Sequence, residues 1–338
     1  MPGDEPTGGI DGAASDVPPT PVPPTPFRIG VRPLRDAPWL RIDAGRAARL
    51  AHKRARLARD RAAVYRRVSG HEALEREALG QVEGWLAARG ESWPASDDPS
   101  PLCRAALGVV EDLAVMSRAP EGWVLVSACV ACPSLWRLAD KIGRPLQTVH
   151  APVPGFGAGT DAARLITRML DALRPGEPVV RGNWSLHATD RLYLPEHDAD
   201  HAARLAGTPR ERLWYRHERQ TLSKLPRAAA VLFTIDVTLT RVGELDAAAR
   251  RALDAQIDAL DAGQRAYRGL DDLPTGRAPA VRRPVRPTTQ PTVAQPPARS
   301  TGSAGAASTP RAPDGRPSPY PTRTITPDLH GKPRGRTS

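Results

Sequence analysis

The sequence predicts an α+β domain: an antiparallel sheet with flanking helices and an N-terminal helical annex, set between two disordered ends. Three observations predict it. Helical periodicity fills residues 45–117, β-rich segments then dominate to residue 240, and those segments do not alternate regularly with long crossover helices. Composition sets the ends apart, because eight of the 37 prolines fall in the first 26 residues and thirteen in residues 277–338. Such chain buries no core. The folded domain is therefore expected at residues 27–272, with residues 1–26 and 273–338 as Pro-rich disordered flanks.

The elements follow in order. Residues 45–68 put Leu50, Leu57, Val64 and Val68 on one stripe, with nine Arg and Lys around the rest, which predicts a basic amphipathic helix whose cations meet Glu72, Glu75 and Glu77. A second helix is expected over 71–89, closed by Gly90. A third, from Pro101 to Ser117 and containing Glu111-Asp112-Leu113, follows a loop marked by Trp93-Pro94 and Asp98-Pro99. Trp123–Val130 reads as a strand stopped by Pro133, Leu135–Ile142 as a short helix ended by Gly143, and Thr148–Gly155 as extended, proline-pinned chain. A helix over Asp161–Leu173 precedes three β-like segments at Val179–Leu186, Leu213–Leu222 and Ala229–Thr240, the last two parted by Pro226; a helix over Leu245–Ala262 closes the domain.

Charge and cysteine bound the function. The net charge of +11 resembles a nucleic-acid signature until it is mapped: ten Arg and one Lys against Asp314 and Asp328 lie in residues 277–338, so the folded part is near balance. With Tyr320 as its single aromatic residue the tail has no stacking platform, and no nucleic-acid partner is assigned. No run approaches 18 apolar residues and no basic-then-apolar leader opens the chain, which predicts a cytoplasmic protein without membrane contact. Cys103, Cys129 and Cys132 make no disulfide framework and are too few for a four-thiolate iron–sulfur cluster.

Several constellations invite a chemical reading. Cys129-Val-Ala-Cys132 has CxxC spacing but no second pair for zinc, and two small buried residues in a strand are the simpler reading; Cys132-Pro133 would offer a thiolate to a heme iron. His197-Asp-Ala-Asp-His201 spaces two imidazoles one helical turn apart, yet lacks the Glu that a zincin places after its first His. Gly155-Phe-Gly157-Ala-Gly159-Thr160 follows no clean strand and has no acid suitably beyond it, so it is not a dinucleotide loop. Three segments are richer in polar and aromatic groups than structure requires: Thr148–Gly155 around His150, Arg181-Gly-Asn-Trp184, and Arg216–Leu222. Strand alternation puts Glu218 and Gln220 on one face and Arg219 and Thr221 on the other, where they form either an internal ion network or a ligand site.

Lys141-Ile-Gly-Arg-Pro-Leu146, Val149–Gly155, Arg181–Trp184, Glu218–Leu222, Leu225-Pro226 and Leu232–Ile235 together resemble the heme-dependent oxidative N-demethylase alpha-subunit-like family. Pro33-Leu34, Trp39, Glu111–Leu113, Pro133 and Trp136 extend the resemblance over residues 27–236. It implies a PAS-like fold binding heme b. It also implies oxidation of a small secondary methylamine with dioxygen, giving a primary amine and formaldehyde, with electrons from a flavin and iron–sulfur reductase partner. Neither a flavin nor an iron–sulfur cluster is expected in this chain. His150 is the one histidine inside a family motif and is the expected iron ligand, its approach stiffened by Pro152 and Pro154. Arg181 and Arg219 are expected to pair the propionates, with Trp184 and Gln220 beside the cofactor. Glu218, with Asn183 and Arg219, is the expected catalytic group, stabilising a cationic amine or relaying protons. His217 and the Cys-rich strand before Pro133 depart from the family pattern. A non-catalytic heme-PAS binding or sensor protein is the rival reading.

Overall fold

The computed structural model describes residues 30–273 apart from 36, 93–95 and 197–198. The Pro-rich ends, Trp93-Pro94 and His197 thus lie outside the described residues. The sheet has seven strands, β1 (Arg32–Pro33), β2 (Tyr65–Arg67), β3 (Asp112–Ala119), β4 (Gly122–Cys129), β5 (Val179–His187), β6 (Trp214–Lys224) and β7 (Ala230–Arg241). Their order is β1-β5-β6-β7-β3-β4-β2, and every pairing is antiparallel. The helices among the described residues are α1 (Arg46–Arg59), α2 (Arg61–Val64), α3 (Glu72–Ala87), α4 (Pro101–Gly108), α5 (Leu146–Val149), α6 (Asp161–Ala172), α7 (His201–Ala206), α8 (Ala247–Asp258) and α9 (Ala262–Tyr267). None is long and apolar enough to cross a membrane.

The predicted α+β class and the strands at 179–187, 214–224 and 230–241 stand, but four helices change. The basic helix stops at Arg59, where Asp60 accepts from Ala63 N to start α2, and Tyr65–Arg67 becomes an edge strand on β4. The third helix ends at Gly108 because β-branched Val109-Val110 follows, and Glu111-Asp112-Leu113 leads into β3 instead. Lys53 holds that break: its buried ammonium donates to Ala106 O at 2.9 Å, Val109 O at 2.8 Å and Glu111 O at 2.6 Å, placing a cation where the helix leaves its carbonyls unpaired. Of the helix expected over 135–142 only a 3-10 turn at Leu138–Asp140 forms, since Leu135 takes the left-handed conformation (φ 61°). The segment expected to be extended begins with α5 and continues in turns, and the last helix, expected over Leu245–Ala262, ends at Asp258 as α8, with a further helix α9 capped by Asp261 beyond it.

The α1 cations are largely satisfied inside the fold, as expected of a structural helix. Arg49 pairs with Asp236 and Asp43, both at 2.6 Å, and Arg46 with Glu91 at 3.0 Å. Of the acids next door, Glu72 and Glu75 serve Arg67, while Glu77 accepts from the Arg227 backbone.

The two sheet faces bury different cores. Leu113, Val115, Val124 and Val126 pack under α3 and α4. Ala114, Met116, Leu125 and Leu222 pack under Ile166 and Leu170 of α6, joined by Leu146 and Phe156. Trp184, Leu186 and Tyr215 pack with Leu253 and Ile257 of α8 in a third cluster. Apolar covering of the second face thins out along β5 and β6, and there the polar residues collect.

Candidate functional site

Cross-strand register builds a polar floor. Arg181 on β5 stands opposite Gln220 on β6, Asn183 opposite Glu218, and Ser185 opposite Arg216. One face therefore carries Arg181, Asn183, Glu218, Gln220 and Arg216. Arg181 Nη1 donates to Gln220 Oε1 at 2.7 Å, Gln220 Nε2 to Glu218 Oε2 at 2.9 Å, and Asn183 Nδ2 to the same oxygen at 3.2 Å. Arg216, fully buried, sets its Nε 3.5 Å from Glu218 Oε1 and donates from Nη1 to Leu192 O at 3.2 Å and from Nη2 to Cys132 O at 2.5 Å. Glu218 is thus a carboxylate held in one orientation by three side chains.

His150 joins this face from α5. Its ring Nδ1 lies 3.0 Å from Leu146 O, and a contact with a carbonyl fixes Nδ1 as the protonated nitrogen. Nε2 is left with its lone pair and no hydrogen-bond partner among the described residues. Burial first, then the charges of Lys141 and Arg181, push the imidazole down to about 4, so it is neutral near pH 7. The ring stacks obliquely on Phe156, centroids 5.8 Å apart, and borders a narrow cleft with Trp123, Pro145, Leu146, Phe156 and Ile166. Lys141 anchors the same turn by donating to Val149 O at 2.9 Å.

The fold brings together His150, Arg181, Asn183, Glu218 and Gln220, and it parts Arg219 and Trp184 from them. Both lie on the opposite face by strand alternation. Arg219 is spent on the N-terminal arm, donating to Trp39 O at 3.0 Å and Pro38 O at 2.5 Å. Trp184 stacks on Tyr215 with centroids 6.4 Å apart. Arg216 is a site residue that sequence reasoning missed, although the alternation that groups Glu218 with Gln220 puts it on their face too.

Cys129 is buried in the core, and burial together with Asp112 raises the Cys132 thiol, favouring its protonated form. Thr160 of the Gly-rich loop caps α6 by accepting from Ala163 N at 3.2 Å. His201 opens α7 with its ring 5.2 Å from that of His187. Among the described residues no three His, Cys, Asp or Glu converge as a metal site.

The family described as Haem-dependent oxidative N-demethylase, alpha subunit-like matches residues 84–275, more than half of the chain. The match begins inside α3, later than Pro33-Leu34 and Trp39, and continues past Asp236 through α8 and α9.

Proposed function

The chain belongs to this haem-dependent oxidative N-demethylase alpha-subunit-like family, and on that premise we propose that it is the heme-binding subunit of an amine N-demethylase. Its substrate is a small secondary methylamine, and its electrons come from a reductase partner, the alpha-subunit family implying a partner subunit. The single observation that carries the reading is His150: a neutral imidazole with Nδ1 tied to a backbone carbonyl and Nε2 available is the donor an iron takes. Arg181, half-buried on the adjacent floor, matches a propionate. These residues fit heme b. The PAS-like relation of the sheet and a cytoplasmic setting belong to the same reading.

Bound heme supplies the iron at which dioxygen is reduced, and the oxidised methyl group leaves as formaldehyde with the primary amine as the other product. The chain's own residues prepare the amine. A secondary amine is protonated in water, and Glu218 is the carboxylate placed to stabilise that cation, its Oε2 fixed by Asn183 and Gln220 and its Oε1 facing Arg216. Gln220 also holds Arg181, so orientation of the acid and of the propionate partner are set together. Arg219 and Trp184 support this from the far face, Arg219 by tying down Pro38 and Trp39.

The absorption spectrum of the purified chain, expressed with heme available, tests the proposal. Wild type is expected to show a Soret band that His150→Ala shifts or loses, and to release formaldehyde from a methylamine when given reductant and oxygen. A wild-type chain without a Soret band after heme reconstitution overturns it. Heme binding without product from several secondary amines and a competent reductase favours the non-catalytic heme protein.

A further inference from the structure

Arg268, the residue after α9, is a half-buried cation for which no ion pair forms among the described residues. β1 pairs only with Val179 and Val180, so among the described residues the β5 edge from Arg181 onward has no strand beside it. Arg268 occupies that edge: Nη1 donates to Trp184 O, and the guanidinium lies 4.8 Å over the Trp184 ring. α9 rests on the His150 loop as well, since a Cβ at Gly263 would stand 3.7 Å from Pro154. The C-terminal segment therefore bridges the iron-ligand loop and the open side of the polar floor. Glu218 is the carboxylate whose field reaches Arg268, but its oxygens are already engaged by Arg216, Asn183 and Gln220.

A guanidinium held by one carbonyl and one ring has N–H donors to spare, and partial burial makes a cation without a counter-ion costly. Its planar fork matches a carboxylate. We propose that Arg268 anchors a carboxylate of the ligand that occupies the β5–β6 face. The identity of that ligand rests on the reading above, and two sources share the chemistry: a heme propionate, or a carboxylate carried by the methylamine itself.

The test uses the full chain with Arg268→Gln and Arg268→Lys. One arm titrates heme and its dimethyl ester, followed at the Soret band. The other measures N-methylglycine and dimethylamine by calorimetry, with and without heme. Loss of the charge-assisted pair is expected to weaken one carboxylate ligand roughly 10–100-fold in Arg268→Gln, less in Arg268→Lys, and to leave its carboxylate-free counterpart unchanged. Selective loss on heme identifies the propionate, and selective loss on N-methylglycine identifies a substrate carboxylate. Wild type that binds no heme, yet binds N-methylglycine in an Arg268-dependent way, sinks the heme reading and leaves this one standing. The proposal is overturned if Arg268→Gln melts like wild type and binds both carboxylate ligands as tightly. It is equally overturned if ester and acid weaken alike, or if wild type binds neither heme nor N-methylglycine.

Discussion

Glu75→Ala is expected to destabilise the domain by about 3–5 kcal/mol, the cost of breaking a buried, hydrogen-bonded ion pair. Glu75 is fully buried, and its two oxygens collect four donors from three places in the fold. Oε1 accepts from Tyr65 OH at 2.7 Å and Ser127 Oγ at 2.5 Å; Oε2 accepts from Ser100 Oγ at 3.1 Å and Arg67 Nη1 at 3.2 Å. One carboxylate thereby fastens α3 to the start of α4, to β4 and to the three-residue edge strand β2. A strand that short has little ladder of its own. Burial, partly together with Glu75, lifts the Tyr65 phenol to about 12, so it stays a donor. Alanine strands all four donors, whereas Glu75→Gln keeps the shape and one acceptor but turns an amide NH2 toward two donors, so it should recover less than half of the loss. Urea unfolding midpoints of the two variants measure this. Amide exchange adds a local readout: Val68, which bonds to Val126 O at 2.8 Å, should exchange faster while the β5–β6 ladder does not. A Glu75→Ala variant within about 1 kcal/mol of wild type would show that the network contributes no net stability.

The residues explain why part of this was legible in the sequence and part was not. Alternation along Trp214–Lys224 was enough to put Glu218 with Gln220 and to set Arg219 opposite them, because the period of a strand is a local property. The long-range partner of each was not local. Nothing in the order of residues says that Arg219 spends its donors on carbonyls at Pro38 and Trp39, at the other end of the domain. Lys53 and Glu75 read as members of a solvated charge run, yet each is buried and saturated by groups that only the tertiary fold supplies. The errors at 65–67 and 109–117 have a different origin. Short apolar runs fit a buried helix and a buried strand equally well, and sheet pairing decided both. The motif that holds His150 made the residue a candidate, while the anchoring of Nδ1 on Leu146 O needed the α5 turn that the neighbouring prolines argue against.

Glu111→Gln is expected to change the pH dependence of stability rather than stability at one pH. Glu111 is fully buried; Oε1 accepts from the Arg41 backbone at 2.6 Å and Oε2 has no partner among the described residues. It is faced by Arg41 from the arm, Arg49 and Lys53 from α1, Arg219 from β6 and Asp236 from β7. Asp236 is itself clamped by Arg41 at 2.5 Å and Arg49 at 2.6 Å. Burial first, and then the negative charge of Asp236, push the Glu111 carboxyl up to about 7. The sign follows from proton counting. Between the unfolded value near 4.5 and the folded value near 7, the folded chain keeps a proton that the unfolded chain has released, so stability falls as pH rises through that window. The contribution is whole below pH 4.5, gone above pH 7, and amounts to about 3 kcal/mol. Wild type will not display it alone. His150 and His187, which burial drives down to about 4 and about 3, bind fewer protons folded than unfolded and make stability rise with pH over the range below 6.5. The difference between Glu111→Gln and wild type removes those opposing contributions, because both chains carry them. The introduced amide is neutral at every pH and keeps an oxygen for the Arg41 backbone N–H, so the variant should gain on wild type from about pH 4.5 to about pH 7 and level off above that. Denaturant unfolding at half-unit pH steps measures that difference, and a gap that stays constant across the range would mean Glu111 is ionised throughout, neutralised by Arg41, Arg49 and Arg219.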